Sequence, residues 1–268
     1  MKVAYVQMEP VFLDPEANYS KAEKLIREAA DQGAKLVVLP ELFDTGYNFR
    51  SREEVEEVAG QIPDGPTTEF LVELAKELEV FIVAGTAEKD EKGNLYNSAV
   101  LVGPVGWGGY IGKYRKIHLF NREKLFFRPG NLGFHVFNIG IAKVGVMICF
   151  DWFFPPESAR TLALKGADVI AHPSNLVMPY APRAMPIRAL ENRVYTITAN
   201  RIGGEEFGLR FIGKSTIASP RAEVLAMGSE DKEEVGGVVE IDLSLARDKR
   251  INEMNDIFKD RRPQYYTL

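Results

Sequence analysis

The chain has 268 residues, 46% of them hydrophobic, and 33 Lys and Arg against 38 Asp and Glu give a net charge of −5. That length supports one sizeable core, and the acidic balance argues against nucleic acid as the main partner. A single cysteine excludes an internal disulfide framework and suits a reducing, cytoplasmic compartment, and no apolar stretch reaches membrane-spanning length, so no membrane partner is expected.

Met1–Met8 goes straight into strand-like alternation without the layout of a leader peptide, and Val3–Met8 reads as the first strand. Ala22, Leu25, Ile26 and Ala29 at helical spacing predict a helix over 18–31, with Gly33 as its cap. Leu36–Leu39 follows as a second strand. Residues 53–60 read as a short acidic helix. Pro66 starts another, with Phe70, Leu71, Leu74 and Leu78 on one face, and it leads into a strand over 80–85. Residues 96–102 and 110–119 read as neighbouring antiparallel strands joined by a loop rich in glycine.

After Cys149 the alternation resumes with a helix over 157–165, a strand over 168–172, a helix around 185–192 and a strand over 195–200. Three late, hairpin-like strands follow over 214–219, 223–227 and 235–241, then an amphipathic tail over 243–258. Repeats, low-complexity linkers and shifts of composition are absent, so residues 1–268 read as a single α/β domain with mixed sheets and outer helices.

Three strand ends carry side chains with chemistry. Pro40 breaks a ladder and presents Glu41 just past a strand; alone, Glu41 reads as a solvated loop residue or an arginine's partner. Alternation through Gly112–Phe120 sets Lys113 and Arg115 on one face and Tyr114, Lys116 and His118 on the other. A basic edge strand is a common guard against aggregation, but Lys116 shares its face with an aromatic and a histidine. Glu123 is close enough in sequence to pair with Lys116 or Arg122. Cys149 ends the run Val144–Cys149 at a strand-to-helix turn, where unpaired main-chain N–H groups favour a thiolate; a buried cysteine that merely packs is the competing reading. A carboxylate, a cation and a thiol from three strand ends make a complete set for acyl transfer.

Leu39-Pro-Glu41-Leu-Phe, Gly112-Lys-Tyr-Arg-Lys116-Ile-His-Leu-Phe and Val144-Gly-Val-Met-Ile-Cys149-Phe-Asp resemble, in order and spacing, the three signature segments of the nitrilase superfamily, the carbon–nitrogen hydrolases. The likeness runs from Val3 to about Ile241. It implies a four-layer α-β-β-α sandwich, usually dimerised across helices, and a Glu–Lys–Cys triad with no metal and no cofactor. By match of motif, Glu41 takes the general-base position, Lys116 rather than Lys113 the lysine position, and Cys149 the nucleophile position. Glu123 matches a second glutamate that many members keep near the lysine. An oxyanion would be held by the Lys116 ammonium and the backbone N–H of Phe150.

A Cys–His hydrolase is the other cysteine chemistry, with His118, His135 and His172 available, but the glutamate and lysine account for more of the chain. Nothing resembles a zinc cluster or a phosphate loop. In the superfamily, true nitrilases tend toward Cys-Trp-Glu and amidase-like branches toward an aromatic followed by Asp, so Cys149-Phe150-Asp151 leans to a small aliphatic amide or carbamoyl amine. A small aliphatic mono- or dinitrile is the alternative substrate, and a non-catalytic scaffold that keeps the fold is an alternative of another class. Tyr47, Trp152 and Asn175 are candidate pocket walls, each also readable as a core aromatic or a turn residue. Arg183 or Arg188 could meet a substrate carboxylate, or lie on a helix surface. The tail over 243–268, with its tyrosines and arginines, reads as a contact element of a homodimer or larger homo-oligomer.

Overall fold

Neighbouring residues of one strand enter two different cores. The structure, a computed structural model, describes residues 1–267 apart from 156 and 207. In β1 (Lys2–Gln7), Val3 and Tyr5 join one apolar cluster while Ala4 and Val6 join another. The same split divides Leu36 and Val38 from Val37 in β2 (Leu36–Val38), and Phe81 and Val83 from Ile82 and Ala84 in β3 (Phe81–Lys89). A strand covered on both faces has no polar side, which is why these segments read as nearly unbroken apolar runs.

The outer cluster is closed by α1 (Pro15–Asp31) and α3 (Pro66–Leu78), whose Ala22, Leu25, Ile26, Leu71 and Leu74 pack on the sheet. Asp14 caps α1 by accepting from the Ala17 N–H at 3.1 Å, and Ser51 caps the short α2 (Arg52–Val58). Two further strands extend this first sheet: β4 (Leu95–Val102) pairs antiparallel with β3, and β5 (Tyr110–Arg115) pairs antiparallel with β4.

The second sheet contains β6 (Val136–Asn138), β7 (Lys143–Val146), β8 (Val169–Ser174), β9 (Tyr195–Asn200), β12 (Thr216–Ala218) and β13 (Val224–Met227). Its order is β13-β12-β9-β8-β7-β6, with β7, β8 and β9 parallel. Helices α5 (Ala159–Leu164) and α6 (Ala181–Asn192) cover its outer face, while β8 and β9 face the first sheet across the shared core. A four-residue helix, α4 (Glu123–Phe126), follows β5, and a small ribbon of β10 (Gly204–Glu205) and β11 (Leu209–Arg210) projects after β9. Helix, sheet, sheet and helix thus stack in four layers, as the motif resemblance implied.

Four expectations change. The last strand, β14 (Glu234–Glu240), does not continue the β12–β13 hairpin; it crosses to the first sheet and pairs antiparallel with β1. The Tyr5 ring occupies the place where a side chain at position 236 would sit, so only Gly236 allows that pairing. The strand expected over 110–119 stops at Arg115. Past it the Lys116 N–H makes one more bond, to Asn97 C=O at 2.8 Å, and the Lys116 C=O turns to Gly130. The strand ending in His172 runs on through Pro173 to Ser174, since the parallel ladder tolerates one missing donor. The amphipathic tail forms a helix only over α7 (Leu243–Arg247), and most of the remainder is irregular.

Candidate active site

Glu41 reaches the site because the chain after β2 keeps docking on β3. Leu39 and Phe43 donate N–H bonds to Val83 and Gly85, and Gly85 donates back to Pro40. A Cβ on Gly85 would lie 2.5 Å from the Glu41 Cα, so the close approach demands glycine there. Leu42 then turns left-handed at φ +50 and leaves the Glu41 side chain fully buried.

Lys116 arrives from the first residue past β5. Its Nζ lies 2.6 Å from Glu41 Oε1 and 2.7 Å from Glu123 Oε1, with the Lys116 side chain wholly buried. Asn97, in the middle of β4, adds an Nδ2 donor to Glu41 Oε1 at 2.7 Å. Burial alone would lower the Lys116 pKa; the charges of Glu123 and Glu41 outweigh it and hold the ammonium above its ordinary range. Burial pushes the Glu123 carboxyl up to about 7, against the pull of Lys116 and with the repulsion of Glu41. The second oxygens, Glu41 Oε2 and Glu123 Oε2, are buried without a hydrogen-bond partner, which leaves Glu41 one carboxylate oxygen for a proton.

Cys149 opens a short 3₁₀ turn, Cys149–Phe153, three residues beyond the end of β7 at Val146, and its own backbone is left-handed at φ +40. The residue is 7% exposed. Burial, reinforced by the Glu41 charge and opposed by Lys116, pushes the thiol pKa well up, so the resting group is the neutral thiol. The Phe150 N–H lies in the first turn, where main-chain donors lack an intrahelical partner.

A small cavity of about 30 Å³ opens on Cys149, lined by Phe120, Phe150, Trp152, Phe153, Leu176, Val177 and Met178, with Asn175 as its one other polar side chain. Space of this size takes on the order of two water molecules, at ~10–15 Å³ each. Both polar atoms of the buried Asn175 carboxamide lack a partner. Trp152 and Asn175 both line this cavity. Tyr47 does not line this cavity: its hydroxyl donates to Glu123 Oε1 at 2.7 Å, beside Lys116. Arg183 is exposed on the outer rim with Tyr180, and Arg188 turns to the Trp152 C=O and Glu191. Lys113 is held away from Glu41 and Glu123, 2.6 Å from Glu88.

None of the three histidines meets the thiol in a hydrogen bond. His172 Nε2 lies 2.9 Å from the Cys149 C=O and Nδ1 lies 3.0 Å from Thr198 Oγ1; a carbonyl only accepts, so Nε2 carries the proton. Burial lowers the His172 pKa to about 4, which keeps the ring neutral. His118 binds Asp151, and exposed His135 binds the Leu132 C=O.

Sequence reading did not single out Asn97 or the pair Arg201–Glu205 as site residues, and it marked Asp151 only as the residue that leans the Cys149-Phe150-Asp151 run toward an amide. Asn97 carried a signal, a carboxamide inside a largely apolar strand. Arg201 is fully buried, paired with Glu205 and 4.0 Å over the Phe211 ring, and Glu205 accepts from the Tyr47 N–H at 3.0 Å and the Asn48 N–H at 2.6 Å. Among the described residues no group of three or more His, Cys, Asp or Glu is placed to hold a metal ion, and no helix is long and apolar enough to cross a membrane.

Comparison with known proteins agrees with this architecture. The family model described as carbon-nitrogen hydrolase matches residues 2–251. A Pyrococcus abyssi protein named nitrilase is 73% identical over 99% of both chains. An Arabidopsis thaliana N-carbamoylputrescine amidase is 35% identical, with 95% of this chain and 90% of that one covered. Among solved structures, a carbon–nitrogen hydrolase from Helicobacter pylori G27 superposes with a TM-score of 0.85 at 28% identity, covering 99% of this chain and 96% of that one. An amidase from Nesterenkonia sp. does so with a TM-score of 0.81 at 25% identity, covering 98% and 94%. The chain belongs to the carbon–nitrogen hydrolase family of the nitrilase superfamily and is an enzyme of its nitrilase and amidase type.

Proposed function

We propose that this enzyme hydrolyses small aliphatic nitriles to the carboxylic acid and ammonia, with Cys149 as nucleophile. The observation that carries this reading is the 73% identity, over 99% of both chains, to a relative named nitrilase. The narrow, largely apolar cavity on Cys149 supports it, because a linear cyano group needs little width and few polar partners.

In this reading Glu41 Oε2 takes the Cys149 proton as sulfur attacks the nitrile carbon, and the nitrogen is protonated to give a thioimidate. One water adds to that carbon, ammonia leaves with a proton from Glu41, and a thioester remains. A second water, deprotonated by Glu41, releases the acid and restores the thiol. Lys116 and the Phe150 N–H hold the charge that develops on the substrate heteroatom, a contribution of about 2.7–4 kcal/mol per donor in comparable sites. Glu123 fixes Lys116, and Tyr47 fixes Glu123. Trp152 walls the cavity, and the unpartnered Asn175 carboxamide orients the substrate.

Hydrolysis of a small amide or carbamoyl amine is a second reading, favoured by that same Asn175 group, which can both donate to and accept from an amide. An amide enters at the tetrahedral stage and consumes one water. Ammonia release from matched aliphatic nitriles, dinitriles, amides, ω-amides and carbamoyl amines separates the two, with Cys149→Ala as the blank. Turnover of nitriles with amides inert is expected; amide turnover with nitriles inert selects the second reading; release unaffected by Cys149→Ala removes both.

The lone cysteine supports a reducing, cytoplasmic setting. Exposed Ile251, Met254, Tyr265 and Tyr266 support a homodimer in which the tail over 243–268 makes the contact. Sedimentation of the full chain beside one lacking residues 249–268 tests it, a monomeric full chain being the contrary result.

A further inference from the structure

Cys149 holds a left-handed backbone at φ +40 without being glycine. Such strain persists only where the surroundings over-determine it. Those surroundings converge on Asp151, whose side chain is fully buried. Its Oδ2 accepts the Ile148 N–H at 2.9 Å and the Tyr114 hydroxyl at 2.7 Å. Its Oδ1 accepts the His118 N–H at 3.2 Å and lies 2.7 Å from His118 Nδ1. The His118 ring in turn stacks on Phe154 with centroids 3.8 Å apart, and Ser158 Oγ donates to the Asp151 C=O at 2.8 Å.

Two of these partners flank Lys116 symmetrically, Tyr114 two residues before it and His118 two after. Another, Ile148, immediately precedes Cys149. One carboxylate therefore ties the strand end that carries the lysine to the turn that carries the thiol, and it does so without a hydrogen bond to either reacting side chain. A carboxylate suits the place because it offers only acceptors to four converging donors.

We propose that Asp151 is a positioning residue that clamps the Cys149 turn to the Lys116 strand end and so fixes the distance between nucleophile and cation. The inference rests on Cys149 as the nucleophile and is independent of whether the substrate is a nitrile or an amide. Asparagine cannot serve in its place, since its single acceptor oxygen leaves one pair of donors facing an NH₂ group. Glutamate carries the charge on an arm one methylene too long.

The test compares Asp151→Asn, Asp151→Glu and Tyr114→Phe with the parent enzyme. Three quantities are read: kcat and KM on a turned-over substrate, the rate of Cys149 alkylation by iodoacetamide, and the unfolding temperature. Alkylation needs no natural substrate, so a failed substrate reading leaves this test intact. A displacement of ~1 Å costs ~100-fold in rate, so Asp151→Asn is expected to lower kcat by about that factor with KM within about threefold. Asp151→Glu stays comparably slow. Tyr114→Phe, which removes one donor and leaves the carboxylate, loses a smaller factor, and alkylation slows in the same order. If Asp151→Asn does not fold, Tyr114→Phe carries the comparison. A lower unfolding temperature with kcat per alkylatable Cys149 unchanged would reduce Asp151 to a structural residue. Full recovery in Asp151→Glu would assign the effect to charge. Either result overturns the proposal.

Discussion

The Lys116 ammonium and the Glu41 carboxylate meet at 2.6 Å with neither side chain exposed. Each charge is stable there only because the other is present, and Glu123 closes the group at 2.7 Å from the same nitrogen. Removing one member strands the others, and a buried charge without its partner is among the most destabilising changes a protein meets.

Lys116→Met should therefore lower stability by about 3–5 kcal/mol. Part of that loss returns below neutral pH, where Glu123, its carboxyl already pushed up by burial, can take up a proton. Turnover should fall at least ~10²-fold, as when one donor to a developing oxyanion is removed. Urea unfolding at pH 5 and pH 8, beside an ammonia assay, checks both; equal stability to the parent at pH 8 contradicts the arrangement.

Asp44 and His172 give opposed pH dependences. Burial raises the Asp44 carboxyl from 3.8 to about 6, despite hydrogen bonds from Thr86 and Thr67. The folded state then keeps a proton that the unfolded chain releases, so this group costs stability as pH rises from about 4 to about 6. His172, lowered from 6.5 to about 4 by burial, does the reverse: the unfolded chain gains the proton first, and stability falls as pH drops from 6.5 toward 4. Each effect is on the order of 3 kcal/mol at ~1.4 kcal/mol per pKa unit. Asp44→Asn should expose the acid-side loss and His172→Asn the opposite slope, both read by denaturant unfolding from pH 4 to 7. Parallel profiles for the two variants would contradict this account.

Glu205 holds the loop that presents Tyr47, and it neutralises Arg201, which is buried to 0% exposure. Glu205→Ala leaves that guanidinium uncompensated and should cost about 3–5 kcal/mol, with activity falling in the protein that still folds. Tyr47→Phe removes only the hydroxyl bond to Glu123 and should cost about 0.5–1.5 kcal/mol of stability. Thermal unfolding orders the pair, and a more damaging Tyr47→Phe would reverse that order.

Gly85→Ala tests the close approach of β3 to the Glu41 turn. A methyl group there meets the Glu41 Cα at 2.5 Å and the Leu42 N at 2.9 Å, so the Glu41 backbone must move. A shift of ~1 Å in a catalytic group costs ~100-fold. We expect kcat to fall by about that factor while iodoacetamide still modifies Cys149. Unchanged kcat would show that the turn absorbs the methyl group.

Local pattern in the chain determined most of the element order. Apolar alternation and helical spacing set β1 through β5, and β9 agrees with its sequence bounds at Tyr195 and Asn200. It also singled out Glu41, Lys116 and Cys149, since each is a chemically unusual residue at the end of an apolar run. The side-chain alternation that groups Tyr114, Lys116 and His118 on one face was legible as well. Its meaning was not, because Lys116 goes to the two glutamates while Tyr114 and His118 go to Asp151.

Only the tertiary structure decided the long-range partners: Asn97 on Glu41, Glu205 on the Tyr47 loop, Asp151 across 37 residues to Tyr114, and β14 on β1 rather than β13. Periodicity along a chain records which face of an element is apolar. It carries no record of which strand lies next to which, and a buried polar side chain is satisfied by whatever donor or acceptor the packed sheets bring within about 3 Å.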